Sequence, residues 1–425
     1  SFSGKMLSQS ETDASSFPSG GLRATFEARG YTTWDPTSPA FVLGTTLYIP
    51  TAFCSYTSDA LDQKTPVLRS LQALNTQAMR VLRALGDNET ASVTATVGTE
   101  QEYFLVDRDL YEKRLDLKVC GRTIMGAKPS KGQEMDDHYY GVISDRVRGF
   151  MRELDMELWR LGVPAKTEHN EAAPGQYELA NVYSTGNIAC DHNQLTMELM
   201  QKVAARHNLA CLLHEKPFAG INGSGKHDNW SLVTNRGENL LNPGKCPQEN
   251  VKFLLFLTAV CQAVDEYADL LRLSASCPGN DYRLGGNEAP PAIISVFLGD
   301  QLHRILHCIA HDKAPDVSDK GELMTGVDFL PLLKLDDNDR NRTSPFAFTG
   351  NKFEFRMVGS SQSIGLANAV LNSAVSDVLR QYADTLEKAE DKNVCSLQLI
   401  ADTYRAHKKI IFNGNNYSKE WAVEA

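Results

Sequence analysis

At 425 residues, 42% hydrophobic and 23% charged, the chain can bury a large core and is too long for one small domain, so two domains or one large domain with an appendage are expected. A formal net charge of -10 without a clustered basic run argues against nucleic acid or a membrane surface as the main partner and leaves small-molecule chemistry. Nine dispersed cysteines with no C-x-x-C pair read as reduced thiols of a cytoplasmic protein, not as a disulfide framework.

From the start of the chain, Ser1 to Gly21 is polar and serine-rich, with no secretory signal. Ser1 to Pro50 carries Gly, Pro and Ser clusters around short β-like pieces, Phe41 to Leu43 and Leu47 to Ile49. Thr65-Pro66 opens a helix as cap and first turn, apolar residues recur from Leu68 to Leu85, and Gly86 closes it. Val93 to Asp107, rich in Val, Thr, Tyr and Phe, is a strand. Helices are expected over Ser144–Leu161, Cys190–Leu213, Gln248–Leu273 and Leu366–Ala389, and a strand over Phe353–Val358. The apolar run Phe253 to Val264 is too short to cross a bilayer. Strands alternating irregularly with long helices predict an α+β fold, with helices packed on one side of a largely antiparallel sheet.

Five segments carry candidate chemistry. In Gly98 to Asp107 (GTEQEYFLVD), Glu100 and Glu102 are two apart on a strand and share a face. Adjacent carboxylates repel unless a cation sits between them, and Mg²⁺ or Mn²⁺ prefers oxygen ligands; a solvated strand face is the bland alternative. In Lys166 to Glu178, Pro174-Gly175 forbids a continuous helix, so Glu171 and Glu178 flank a bend that aims both acids at one point. His169, two residues before Glu171, reads equally well as a structural histidine. Gly220 to Ser231 is a glycine loop ending in His227, which suits a metal through a neutral ring nitrogen; its spacing to Lys226 is wrong for a P-loop, and an ordinary Gly-Ser turn competes. In Asn280 to Pro291, Arg283 and Glu288 bracket Gly285-Gly286, which predicts a mobile loop bearing one charge of each sign. After Asp339 to Arg342, Lys352 to Arg356 (KFEFR) puts Glu354 and Arg356 on one strand face, an acid for a metal beside a guanidinium for phosphate.

The segments GTEQEYFLVD, EHNEAAPGQYE, NGSGKHDNWS, RLGGNEAPP and KFEFR occur in the order found in glutamine synthetases, and with TDASSFPSGG and NRTSPFAF they resemble the type III branch. The resemblance implies the glutamine synthetase catalytic domain, a curved antiparallel sheet with flanking helices, over residues 59–425, including the start of a helical C-terminal extension. Part of a small β-grasp domain is implied over residues 1–58. Members of that branch are longer, which implies further β-domain residues before Asp13 and a helical extension after Ala425. The implied activity is ATP-dependent ligation of ammonia to glutamate through γ-glutamyl phosphate, with two or three Mg²⁺ or Mn²⁺ ions, in a dodecamer of two hexameric rings. By the same resemblance Glu102, Glu171 and Glu178 form one metal site, and Glu100, His227 and Glu354 a second on the ATP phosphates. Arg283 holds the substrate α-carboxylate, with Asn222 and Gly223 contacting glutamate. Arg342 and Arg356 stabilise the transferred phosphoryl group. Glu288 is the flap acid, and Asp13, beside Ser16, serves the ammonium pocket of a neighbouring subunit. Asn229, Ser231 and Lys352 stand where the family places nucleotide contacts. The chain departs from many members where Ala347-Phe348 replaces a second arginine, and no tyrosine stands in a recognisable adenylylation motif. A γ-glutamyl-polyamine-type ligase and a catalytically silent structural relative remain as alternatives.

Overall fold

A computed structural model describes residues 30–55, 57, 59–286, 289–313, 322–323, 333–334 and 343–424. Asp13, Ser16, Glu288, Asp339 and Arg342 lie outside the described residues.

The chain enters through β1 (Gly30–Trp34), β2 (Phe41–Leu43), β3 (Thr46–Tyr48) and β4 (Thr51–Ser55), which form two antiparallel pairs, β1 with β4 and β2 with β3. The β2–β3 turn needs a left-handed residue, supplied by Gly44 at φ 64°. Lys64 fastens this region to the rest: its Nζ lies 3.1 Å from Asp35 and 2.5 Å from Asp191, with Ser38 Oγ as a third partner. Helix α1 (Lys64–Ala84) then starts two residues earlier than expected, because Asp62 Oδ1, not Thr65, accepts the free backbone N–H at its start. Strand β5 (Val93–Asp107) has the expected bounds. Short helices α2 (Arg108–Glu112) and α3 (Leu115–Cys120) follow, and α4 (Asp145–Arg160) is capped by Ser144.

Strands β6 (Ala165–Asn170), β7 (Gln176–Asn181) and β8 (Ser184–Thr185) lead to α5 (Gly186–Arg206). The expected helix to Leu213 is corrected here. Asn208 turns the chain at φ 54°, and β9 (Leu209–Leu212) pairs with Phe104–Asp107 of β5, so the apolar tail joins the sheet. Strand β10 (Gly225–Thr234) is followed by α6 (Val251–Glu266) and α7 (Ala268–Ser274) in place of one long helix; the break falls at Tyr267, where φ is -115° and ψ 24°. Helix α8 (Pro278–Arg283), β11 (Val296–Phe297), α9 (Asp300–Ala310), the β12–β13 pair (Glu322–Leu323, Leu333–Lys334), β14 (Phe346–Phe348), β15 (Phe353–Gly359), α10 (Gly365–Lys388), α11 (Lys392–His407) and α12 (Lys419–Glu424) complete the order.

Among the described residues nine strands make the main sheet, in the order β11-β14-β15-β10-β5-β7-β6 with β8 and β9 on β5. Every pairing is antiparallel except β11 with β14. The period-two alternation of β5 separates its faces. Val93, Ala95, Val97, Tyr103 and Leu105 point to the helical side. There α1, α6, α10 and α11 pack over one half of the sheet, and α4 and α5 over the other. Every residue of α6 from Phe253 to Val264 is buried, including Thr258 and Gln262, which interrupt its apolar run. At roughly 1.5–3 kcal/mol for each large apolar side chain removed from water, this layer anchors the sheet. Glu100 and Glu102 point the other way, to the opposite face of the sheet.

Candidate active site

Strand register brings the acids together. His227 of β10 pairs with Glu100 of β5, Asn229 with Glu354 of β15, Glu102 with Glu178 of β7, and Glu178 with His169 of β6. Directly paired residues share a face. Five neighbouring strands therefore present Glu354, His227, Glu100, Glu102, Glu178 and His169 to one side, with Glu171 just past the end of β6.

Two groups of three converge within this row. In the first, His227 Nδ1 lies 3.1 Å from Glu100 Oε2 and 2.9 Å from Glu354 Oε1. In the second, His169 Nε2 lies 3.0 Å from Glu178 Oε1, and its Nδ1 3.6 Å from Glu171 Oε1. Within each group the candidate ligand atoms are all within 4.8 Å of one another. One divalent cation can reach all three atoms at that spacing, and one imidazole with two carboxylates is a donor set for Mg²⁺ or Mn²⁺ more than for a thiophilic metal. The residues fit the ions that the sequence implies.

The electrostatics describe a site that seeks positive charge. Burial opposes a charge on His227, yet its bonds to Glu100 and Glu354 outweigh that and hold the imidazole well above its ordinary range. The bond to Glu178 raises His169 to about 9. Burial raises Glu178, the His169 bond pulls it back, and the charges of Glu100 and Glu102 raise it further, so the two clusters sense each other. Protons on the two histidines do part of what a cation would do.

Glu102 belongs to neither triplet. It faces Glu178 across the β5–β7 pairing, and its Oε2 accepts the Gly225 N–H at 2.6 Å. Arg356 Nε lies 3.7 Å from Glu354 Oε1, at the edge of the first cluster. Asn229 Nδ2 donates to Glu100 Oε1 at 2.8 Å; Ser231, two residues on along the same face, donates to Asn351 O, and Lys352 reaches Thr349 O at 3.4 Å. Asn222 is held at both ends by Gln133, whose Oε1 accepts its N–H and whose Nε2 donates to its Oδ1, each at 2.8 Å. The Gly223 carbonyl accepts from Gln176.

Arg283 differs from expectation. It ends helix α8 and is 2% exposed, so it does not ride a mobile loop. Its guanidinium bonds to the carbonyls of Arg356 at 3.1 Å and Met357 at 3.4 Å. These carbonyls are freed by a bulge: Lys226 pairs with Val358 but Asp228 with Phe355, so Arg356 and Met357 together oppose His227. Gly225 permits this, since a Cβ there would stand 2.0 Å from Arg283 Nη2. Gly225 thus admits an arginine beside the strand.

Two contributions escaped the sequence and a third was left open by it. His169, for which a structural reading stood beside a functional one, is a member of the second cluster. His138 Nδ1 contacts Glu171 O at 2.7 Å, and Asn170 Nδ2 donates to His138 O and Gly141 O, which fastens the aperiodic 138–141 segment beside the acids. Buried Glu215 accepts from Ser361 N and Oγ while Gly223, Gly279 and Gly359 close around it, each lacking room for a Cβ. Nothing in its motif singled it out.

The family models "Glutamine synthetase type III N terminal", "Glutamine synthetase, catalytic domain" and "Glutamine synthetase C-terminal domain" match residues 1–70, 76–261 and 396–425. Among solved structures, "CryoEM Plasmodium falciparum glutamine synthetase" aligns at a TM-score of 0.58 and 14% identity, over 88% of this chain and 67% of that one. "Apo GmaS without ligand" aligns at 0.54 and 15%, over 94% and 87%. Fold and matched models define a chain of the glutamine synthetase class. Curated relatives refine this: "Type-3 glutamine synthetase" of Dictyostelium discoideum is 51% identical over 99% of this chain and 58% of its own length. "Glutamine synthetase" of Bacteroides fragilis is 49% identical over 100% and 59%, and that of Butyrivibrio fibrisolvens 52% over 91% and 55%. The chain belongs to the glutamine synthetase family, in its type III branch. It spans between 55% and 59% of the length of these three relatives.

Proposed function

We propose that the chain is the catalytic core of an ATP-dependent ligase that joins ammonia to the side-chain carboxylate of glutamate. The observation that carries this reading is the pair of adjoining His–carboxylate triplets on the open face of the sheet. Glu100, His227 and Glu354 would hold one divalent cation, and Glu171 and Glu178 a second, with His169 beside them and Glu102 opposite. Bound there, Mg²⁺ or Mn²⁺ would neutralise the phosphate oxygens of ATP as charge develops on them.

The chain's own groups supply the rest. Arg356 lies beside the first cluster and offers a guanidinium to the transferred phosphoryl oxygens. Glutamate's γ-carboxylate attacks the γ-phosphorus and ADP leaves; ammonia then attacks the acyl phosphate and phosphate leaves. The surplus of carboxylates favours ammonium at this face and accepts its proton. We assign the α-carboxylate to Arg283, whose Nε has no partner among the described residues, and glutamate contacts to Asn222 and Gly223. Asn229, Ser231 and Lys352 run from the first cluster toward the 349–352 turn and are assigned to the nucleotide. The roles of Asp13, Glu288 and Arg342 rest on the family motifs alone.

We place the boundary of the small β domain near residue 58 and the protein in the cytoplasm, the latter supported by nine unpaired cysteines. No helix among the described residues is long and apolar enough to cross a membrane. We further propose a dodecamer of two hexameric rings with sites between subunits, which sedimentation of the active protein tests. For the activity, the test is ammonium-dependent phosphate release from ATP and glutamate, with γ-glutamyl transfer to hydroxylamine in Mn²⁺ and ADP. Both are expected, and both should be lost in Glu354→Gln. Absence of either activity in metal-loaded protein would point to a silent relative, and a preference for larger amines over ammonium to an amine ligase.

A further inference from the structure

Behind the metal-binding face, Lys226 is a buried lysine at 0% exposure on the strand that carries His227. Its Nζ donates to Gln101 Oε1 at 2.7 Å and Ser360 O at 2.8 Å, with Asn193 Oδ1 at 3.4 Å and Met197 Sδ at 3.2 Å. All four partners are uncharged. Asp228, two residues on and on the same face, bonds to Asn368 instead. The charges of Asp228 and Glu215 favour the ammonium without forming an ion pair with it, and holding an ammonium out of water in this way is costly, so its place needs a reason beyond filling space.

The partners supply the reason. Gln101 stands between Glu100 and Glu102 and points to the opposite face; its Nε2 donates to Glu102 O at 2.9 Å and to Ser360 O at 3.1 Å. Ser360, just past β15, returns a hydroxyl to Glu102 O at 2.7 Å. Lys226 therefore ties together β5, its own strand β10, the end of β15 and helix α5. It does so beside the bulge, where the β10–β15 register shifts between Lys226 and Asp228 and the ladder alone does not fix how Glu354 meets His227.

We infer that Lys226 is a positioning residue for divalent-metal binding, holding the strands of Glu100, Glu102, His227 and Glu354 in register from the rear of the sheet through Gln101 and Ser360. This deepens the functional reading above and rests on its metal assignment. Groups that orient ligands from behind commonly cost 10- to 100-fold in metal affinity when removed.

The test measures Mn²⁺ dissociation constants on the 425-residue chain, from the free-ion electron paramagnetic resonance signal, for wild type, Lys226→Met and Ser360→Ala. Leu257→Ala, in the buried face of α6 and away from the site, calibrates a purely structural loss. Lys226→Met is expected to weaken Mn²⁺ binding about tenfold or more, and Ser360→Ala several-fold. Leu257→Ala should lower the melting temperature and leave affinity as in wild type. Should Lys226→Met fail to fold, Ser360→Ala decides alone. Variants that melt lower but bind Mn²⁺ as wild type does would overturn the inference while sparing the ligase reading. Wild-type protein that binds no Mn²⁺ at all would overturn both.

Discussion

Replacing Glu354 by glutamine tests the first cluster with little change of shape. Glu354 Oε1 is 2.9 Å from His227 Nδ1 and 3.7 Å from Arg356 Nε, on a side chain 6% exposed. Losing an outer-shell partner of a metal ligand costs 10- to 100-fold in affinity, so losing a ligand's charge should reach at least about 100-fold. Stabilisation by a bound ion is RT ln(1 + [L]/Kd), about 4.1 kcal/mol at 1,000 times Kd; a 100-fold weaker site at the same ion concentration retains only about 1.4 kcal/mol. The metal-free protein should change far less, because the substitution removes one of several crowded carboxylates while weakening a bond to His227. Thermal melts of wild type and Glu354→Gln, each with EDTA and with Mn²⁺ at 1,000 times the wild-type Kd, read both quantities. The expected result is a collapse of the Mn²⁺-dependent increment with similar EDTA melts. A variant that keeps the full increment would refute the assignment of Glu354 as a ligand.

Further outcomes follow from other parts of the site. His169 is raised to about 9 by Glu178, above its ordinary value near 6.5, so the metal-free protein draws stability from that proton below pH 6.5 and loses it as pH rises toward 9. EDTA melts should therefore fall across that window, and Mn²⁺ binding at Glu171 and Glu178, where protonated His169 competes for the carboxylates, should tighten with pH and release protons, readable by calorimetry in buffers of different ionisation heat. Gly225→Ala would place a Cβ 2.0 Å from Arg283 Nη2, and such overpacking should cost about 1–3 kcal/mol in denaturant melts as well as glutamate affinity. Arg283→Lys cannot reproduce the fork to the carbonyls of Arg356 and Met357, so it should lower both stability and glutamate affinity. A stability equal to wild type would make Arg283 a substrate contact only.

Much of the fold was legible because its signals are local. The Val/Thr/Tyr/Phe texture of β5 gave both ends of that strand, and the periodic apolar positions of α4 and α10 gave helices within a residue or two. Boundaries failed where tertiary context decided. Residues 209–212 continue the apolar pattern of α5 but find a pairing edge on β5, and Tyr267 breaks a helix that periodicity runs through. In the site, alternation alone put Glu100 with Glu102 and Glu354 with Arg356. Pairing between strands was not visible: that His227 stands opposite Glu100 is a matter of register over a long separation, and that His169 stands opposite Glu178 depends on the register of the β6–β7 hairpin. The bulge at Arg356-Met357 was invisible for the same reason, and with it the buried role of Arg283, whose Gly-Gly neighbours resemble a hinge in sequence. Glu215 and Lys226 looked like ordinary charged loop and strand residues, because nothing local distinguishes a buried charge from a solvated one.

The most direct measurement is the anomalous scattering of crystals soaked in Mn²⁺ with a non-hydrolysable ATP analogue. The account predicts two neighbouring manganese peaks on the open face of the sheet. One should be bonded to Glu100, His227 and Glu354, the other to Glu171 and Glu178. Manganese bonded elsewhere, or those five side chains left without an ion at saturating Mn²⁺, would contradict it.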